Sequence, residues 1–202
     1  MKGLFVTGTG TGVGKTVASA CLAKALGADY WKPIQTGWPQ DDDAAWVAAM
    51  AGAVVHPNVC RFRAPRSPHE AAAREGGMID LGAIRRPVTD RPLVVEGAGG
   101  VLVPLNEAHC MADLMVHLGL PVVLVAATGL GTINHSLLSL EALRARGLLV
   151  AGAILTGPPD SANRQAIQDF GRVRILGELP PADPLDTTAI AGLARQFEGL
   201  AW

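Results

Sequence analysis

This 202-residue sequence is poor in lysine, which occurs only at Lys2, Lys15, Lys24 and Lys32, and it contains no basic run; its formal net charge is −1. Nothing in that balance recommends a nucleic acid as partner, since such partners call for a concentrated positive surface. Cysteine is scarce as well. Cys21, Cys60 and Cys110 are odd in number and lack C-x-x-C spacing, which argues against a disulfide framework or a zinc site and fits a reducing cytoplasm. No apolar run reaches the ~20 residues of a membrane span, and the first residues do not read as a leader. The expectation is a cytoplasmic chain without a membrane segment. Composition, at 49% hydrophobic and 17% charged, describes one compact domain over residues 1–202, able to bury roughly 70% of its unfolded surface.

What is present starts at the apolar run Leu4-Phe5-Val6. It leads into Gly8-Thr9-Gly10-Thr11-Gly12-Val13-Gly14-Lys15-Thr16 and then a helical stretch. A strand, a glycine loop and a Gly-Lys-Thr at a helix start form a triphosphate cradle. Backbone N–H groups turn toward phosphate, Lys15 reaches the β/γ-phosphates, and the Thr16 hydroxyl is a Mg²⁺ ligand. The loop departs from the strict G-x-x-x-x-G-K-[ST] pattern, because position 9 is Thr9 and the nearest earlier glycine is Gly8. It also carries Gly10 where partitioning ATPases have a second lysine, which weakens that reading.

Short apolar runs alternate with helical patterns along the chain. Strands are expected at 4–6, 29–32, 93–95, 122–126, 148–155 and 174–176, and helices at about 15–26, 42–51, 133–146, 161–170 and 187–199. Continuous apolar strands separated by helices predict an α/β fold of the P-loop NTPase type, a three-layer sandwich with a mostly parallel sheet and helices on both faces. Ligands in such sheets bind beyond the carboxyl ends of the strands. Prolines at 57, 65, 68, 87 and 92 break the pattern through and just after residues 53–91, and only 68–76 reads as helix there.

Three groups follow strand ends. Glu96, before Gly97, Ala98, Gly99 and Gly100, stands where an acidic Mg²⁺ partner is expected, with glycines that let phosphate approach. Asp41-Asp42-Asp43 opens a helix. Capping explains part of that run, but three carboxylates exceed it, and Asp43 is the choice to join Thr16 and Glu96 around the metal. Lys32, leaving the second strand, is assigned to stabilising a transferring phosphoryl group, and Thr36 to a hydrogen bond with substrate. Gly129 to His135 opens another helix and makes a second anion site, suited to a substrate carboxylate. His135 itself reads as structural, and His56, His109 and His117 have no context.

The segments GTGTGVGKT at 8–16, KPIQTG at 32–37, SPH at 67–69, VEGAGG at 95–100 and GLGTINH at 129–135 closely resemble the dethiobiotin synthetase family of biotin biosynthesis. The resemblance extends from the N-terminus to about residue 182. It implies an ATP- and Mg²⁺-dependent cyclo-ligase acting on 7,8-diaminopelargonic acid and CO₂ (or bicarbonate), with a carbamate and a carbamic–phosphoric anhydride as intermediates and ADP and phosphate released. Under it, Thr11, Gly12, Val13, Gly14, Lys15 and Thr16 bind ATP with Asp43, Glu96, Gly97, Ala98, Gly99 and Thr156. Lys32 is the active-site lysine and Thr36 the substrate-contacting hydroxyl. Gly131, Thr132, Ile133 and Asn134 receive the substrate's carboxylate from the neighbouring subunit, so a homodimer is implied. Pro180, Pro181 and Ala182 lie beside the nucleotide base. Many members carry an adenine-contacting asparagine where this chain has Thr156-Gly157, and the 77–91 region is short. Two rivals are weighed. A cobyrinic-acid-type amidating synthetase needs a glutamine-hydrolysing domain that these 202 residues do not contain. A P-loop switch or partitioning ATPase needs N-K-x-D or the lysine missing at Gly10.

Overall fold

A computed structural model describes residues 3–200. In chain order the elements are β1 (Gly3–Gly8), α1 (Lys15–Leu26), β2 (Asp29–Trp31), β3 (Ile34–Thr36), α2 (Asp43–Ala51), β4 (Val55–His56), β5 (Cys60–Phe62) and α3 (Pro68–Arg74). There follow β6 (Leu93–Glu96), α4 (Met111–Leu118), β7 (Val122–Ala127), α5 (Thr132–Arg144), β8 (Val150–Thr156), α6 (Ser161–Gly171), β9 (Ile175–Leu179) and α7 (Thr187–Ala194). Seven strands form one sheet in the order β4-β2-β6-β1-β7-β8-β9, and every recorded pairing in it is parallel. β3 and β5 pair in a small parallel sheet of their own.

Strand alternation explains the layers. In β1, Leu4 and Val6 face one core with Ala18, Cys21 and Leu22 of α1, Val47 of α2 and Ile190 of α7. Phe5 faces the other with Met115 of α4, Leu140 of α5 and Ile167 of α6. The central strands β1, β6 and β7 are buried on both sides because helices cover both faces. The three-layer fold is as expected. Cys21 lies in the core, where burial pushes its thiol up to about 12, so it packs as a small apolar residue.

The chain runs from β1 out to β2, returns through β6 beside β1, and then crosses to β7. That reversal opens a crevice beyond the carboxyl ends of β1 and β6.

Several bounds differ from the sequence expectation. β8 starts at Val150 rather than 148, β9 runs on to Leu179, and α7 ends at Ala194 and gives way to a 3₁₀ turn, Arg195–Phe197. The stretch 53–91 holds β4, β5, α3 and a 3₁₀ turn at Leu81–Ala83. There the short 77–91 segment packs Ile79 and Ile84 fully into the core. Helix α4 was not expected. Its signal was nevertheless there: Met111, Leu114, Met115 and Leu118 follow the i, i+3, i+4, i+7 pattern of a buried face, and all four are buried.

Candidate active site

The loop after β1 closes onto α1 through Gly14. Its φ of +82° favours glycine, and a Cβ there would lie 3.0 Å from Thr156 Cγ2. The Thr156 hydroxyl donates to Val13 O at 2.8 Å, so Thr156 pins the loop from the end of β8. Lys15, first residue of α1, folds back and donates to Gly10 O at 2.8 Å. Burial lowers its pKa to about 8, against an opposing pull from Glu96.

Beside this loop lies a cavity of about 940 Å³, within the range of ligand sites. Thr11, Gly12, Gly14, Lys15, Thr16, Lys32, Thr36, Asp43, Glu96, Ala98 and Gly99 line it. They come together because β2, β6 and β1 are neighbours, which sets the residues after each strand side by side. Thr16 Oγ1 lies 2.9 Å from Asp43 Oδ1 and 3.0 Å from Glu96 Oε1. Lys32 Nζ bonds Asp43 Oδ2 and Glu96 Oε1, the latter at 3.0 Å. Tyr30 donates to Glu96 Oε2 at 2.9 Å.

The electrostatics follow from these contacts. Burial alone would lower the Lys32 pKa, but Glu96 and Asp43 outweigh it and raise the value, so the ammonium is retained. Burial opposes the Asp43 charge, yet the Lys32 ammonium and the hydrogen bonds hold its carboxyl below the usual range. Tyr30 is raised by burial and by Glu96, so it remains a hydroxyl donor.

Two carboxylates and a hydroxyl at a phosphate loop are the oxygen donors that Mg²⁺ takes when phosphate and water complete its shell. One Thr16 proton serves two acceptor carboxylates, so the cluster has acceptor capacity to spare for a cation. The donor set therefore fits Mg²⁺.

Within the acidic run the residues divide. Asp42 caps α2, accepting from Ala45 N at 3.0 Å, while Asp43 turns to Thr16 and Lys32.

Other expected site residues lie outside the cavity. Gly97 packs: a Cβ there would meet the Phe5 ring at 2.9 Å and Met111 Sδ at 3.1 Å. That is a packing reason for glycine here, separate from the phosphate approach expected of it. Val13 contributes its carbonyl to Thr156 and packs against the core. Pro180, Pro181 and Ala182 follow β9, three strands from β1, and do not line the cavity. Nor do Gly131, Thr132, Ile133 and Asn134. Thr132 is buried and Ile133 packs on the core, leaving backbone N–H groups and the exposed Asn134 at that helix start.

Their helix, α5, instead borders a second groove of about 430 Å³, formed with Thr9–Thr11 and Gly100–Pro104. Residues given no role from sequence also line the main cavity, among them Gln35, Trp46, Arg66, Ser67 and Glu70. Tyr30 had a signal, since it lies two residues before Lys32 in the 29–32 stretch expected as a strand, where alternation sets both on one side.

Comparison with known proteins agrees with this architecture. A family profile described as an AAA domain matches residues 2–189. The chain is 55% identical over 194 residues to the ATP-dependent dethiobiotin synthetase of Paramagnetospirillum magneticum, covering 96% of this chain and 95% of that one. It is 50% identical to the ATP-dependent dethiobiotin synthetase of Nitrobacter hamburgensis, covering 90% and 87%. Among solved structures, the MinC:MinD cell division protein complex of Aquifex aeolicus aligns with a TM-score of 0.60 at 14% identity, covering 100% of this chain and 98% of that one, a likeness of fold alone. With half or more of its residues shared over nearly the full length of such enzymes, the chain belongs to the ATP-dependent dethiobiotin synthetase family.

Proposed function

We propose that this chain is a single-domain, cytoplasmic enzyme that closes the ureido ring of dethiobiotin from 7,8-diaminopelargonic acid, CO₂ and ATP. The observation that carries the reading is the convergence of Lys32, Thr16, Asp43 and Glu96 on one cavity beside the phosphate loop. Among the described residues no helix is long and apolar enough to cross a membrane.

One amine of the diamine takes up CO₂ as a carbamate. A carbamate oxygen attacks the γ-phosphorus and ADP leaves, giving a carbamic–phosphoric anhydride. The second amine then attacks the carbonyl carbon, loses a proton, and phosphate departs. The loop N–H groups and Lys15 hold the phosphates, with Ala98 and Gly99 at the facing wall. Lys32 stabilises charge on the phosphoryl in flight, by positioning and electrostatics rather than covalent chemistry. Thr36 contacts the diamine. Thr16, Asp43 and Glu96 would hold Mg²⁺, which offsets negative charge on the phosphates when bound. Pro180, Pro181 and Ala182 border the base. The Thr156 hydroxyl is spent on Val13 O, so base selection falls to other groups.

The test is phosphate release with ATP, CTP and GTP in turn, with diamine and bicarbonate supplied or withheld. Turnover is expected to require both. Turnover independent of the diamine would instead indicate a switch ATPase.

Lys15 adds a pH dependence. A triphosphate favours the protonated ammonium, and in the free protein that proton is lost as pH rises through about 8. Binding above pH 8 must then draw in a proton. Apparent nucleotide affinity is expected to fall toward tenfold per pH unit there, and to be insensitive to this group below it. Titration calorimetry at pH 9 in two buffers of different ionisation enthalpy measures the uptake; equal observed heats in the two buffers would refute it.

In this reading the substrate's carboxylate binds at Gly131–Asn134 of a second copy, across a homodimer interface. Leu102, Leu130 and Leu138 expose apolar surface on and beside the second groove, as a dimer interface would use it. Asn134→Ala is expected to raise KM for the diamine with little change for ATP. Mixing Lys32→Ala with a variant disrupted at Gly131–Asn134 should restore part of the activity, because one site of each mixed dimer then carries neither lesion. No recovery despite subunit exchange would assign the site to a single chain.

A further inference from the structure

Lys32 occupies the oxygens that a metal ion at this site would use. Its Nζ bonds Asp43 Oδ2 and lies 3.0 Å from Glu96 Oε1, and the same carboxylates flank Thr16 Oγ1 at 2.9 and 3.0 Å. The Lys32 side chain is 7% exposed and that of Glu96 is fully buried, so water screens this cluster poorly. Two carboxylates face one ammonium in contact, while the other nearby cation, Lys15, is turned to Gly10 O at 2.8 Å. A divalent ion entering the cluster would meet the ammonium at contact range and share oxygens with it.

We propose that Lys32 is a placeholder cation: it holds the Asp43–Glu96 pair against free divalent metal, and yields it only when a nucleotide triphosphate supplies a new anion for the ammonium. The inference deepens the reading above and rests on it. The mechanical requirement is modest. The carboxylates are fixed on β6 and on the first turn of α2, whereas a lysine carries its charge on a flexible four-carbon stem with three rotatable donors. Phosphate oxygens complete the metal shell and attract the ammonium away from Asp43 at the same time. Metal and nucleotide therefore bind with positive coupling, which by linkage is equal in both directions. The enzyme would remain metal-free on the carboxylates until the nucleotide is in place, and the lysine so released is the one that meets the phosphoryl group.

The probe is Mn²⁺, counted by electron paramagnetic resonance of the free aquo ion without nucleotide. Lys32→Met is expected to bind Mn²⁺ roughly 10- to 100-fold more tightly than the parent. Mn²⁺ should also raise the melting temperature of the variant and leave the parent's unchanged. Adding Asp43→Asn to Lys32→Met should remove the gain. A folded Lys32→Met that binds nucleotide-free Mn²⁺ no better than the parent overturns the proposal.

Should Lys32→Met not fold, the ¹⁵N resonance of Lys32 Nζ in the parent decides. It is expected to be unmoved by Mg²⁺ alone and shifted by Mg²⁺ with a non-hydrolysable ATP analogue; a shift with Mg²⁺ alone, or none with both, refutes the idea. The underlying reading fails separately: the parent with the analogue would then bind Mn²⁺ with no dependence on Asp43 or Glu96.

Discussion

Lys32→Ala is expected to lower kcat by roughly 10²–10³-fold while nucleotide affinity stays within a few-fold, as for removal of one preorganised charge that acts mainly in the transition state. The ammonium is buried and held by Asp43 and Glu96, so its charge stands beside the phosphate loop before nucleotide arrives and only its flexible stem has to swing. Those carboxylates raise its pKa, so it keeps its charge at any working pH. Its loss also leaves two carboxylates sharing the Thr16 hydroxyl with no counter-charge. Breaking a buried pair in this way costs roughly 3–5 kcal/mol, so the variant should melt well below the parent and recover part of the difference in Mg²⁺. Steady-state kinetics with saturating diamine, together with melting curves with and without Mg²⁺, read both effects. Near-parental kcat would reduce Lys32 to a structural ion-pair partner.

Glu96→Gln should impair metal–nucleotide binding and turnover together, by roughly 10²-fold or more. Glu96 is fully buried and links three groups: Oε1 meets Thr16 and Lys32, and Oε2 accepts from Tyr30. An amide keeps the shape but removes the charge, and its NH₂ faces donors on one side or the other, leaving a buried clash of donors. Asp43→Asn should act in the same direction. Asp42→Ala provides the contrast. It removes a helix cap worth about 1 kcal/mol and should leave turnover near the parent's. If Asp42→Ala is crippled and Asp43→Asn is not, the assignment within the acidic run is wrong.

The legible parts of the molecule are those whose cause is local. The phosphate loop is nine consecutive residues whose geometry is set by glycine freedom and a helix start, and it forms where the motif lies. The strands 93–95 and 122–126 announce themselves because both faces are buried, making the run continuously apolar. Lys32 stood out because lysine is rare here. Less legible were β3, β4 and β5, at two or three residues each. Strands so short carry no periodicity, and they exist only because a neighbour pairs with them. The packing demand on Gly97 is equally hidden, because it comes from Phe5 and Met111, 92 positions upstream and 14 downstream.

By itself the sequence determined that a triphosphate loop opens the chain, that the fold is a helix-covered parallel sheet, and that Lys32, Asp43, Glu96 and Thr16 are the groups with chemistry to offer. Tertiary structure alone decided that these four meet. That follows from strand order, because β6 inserts between β1 and β2, so Glu96 arrives between Thr16 and Lys32 from 80 and 64 residues away. The same order sends α5 across β7, out of its own cavity. Strand order is selected by how whole apolar faces bury against one another. No short stretch of residues encodes it, since the central strands are buried on both sides and would satisfy many neighbours.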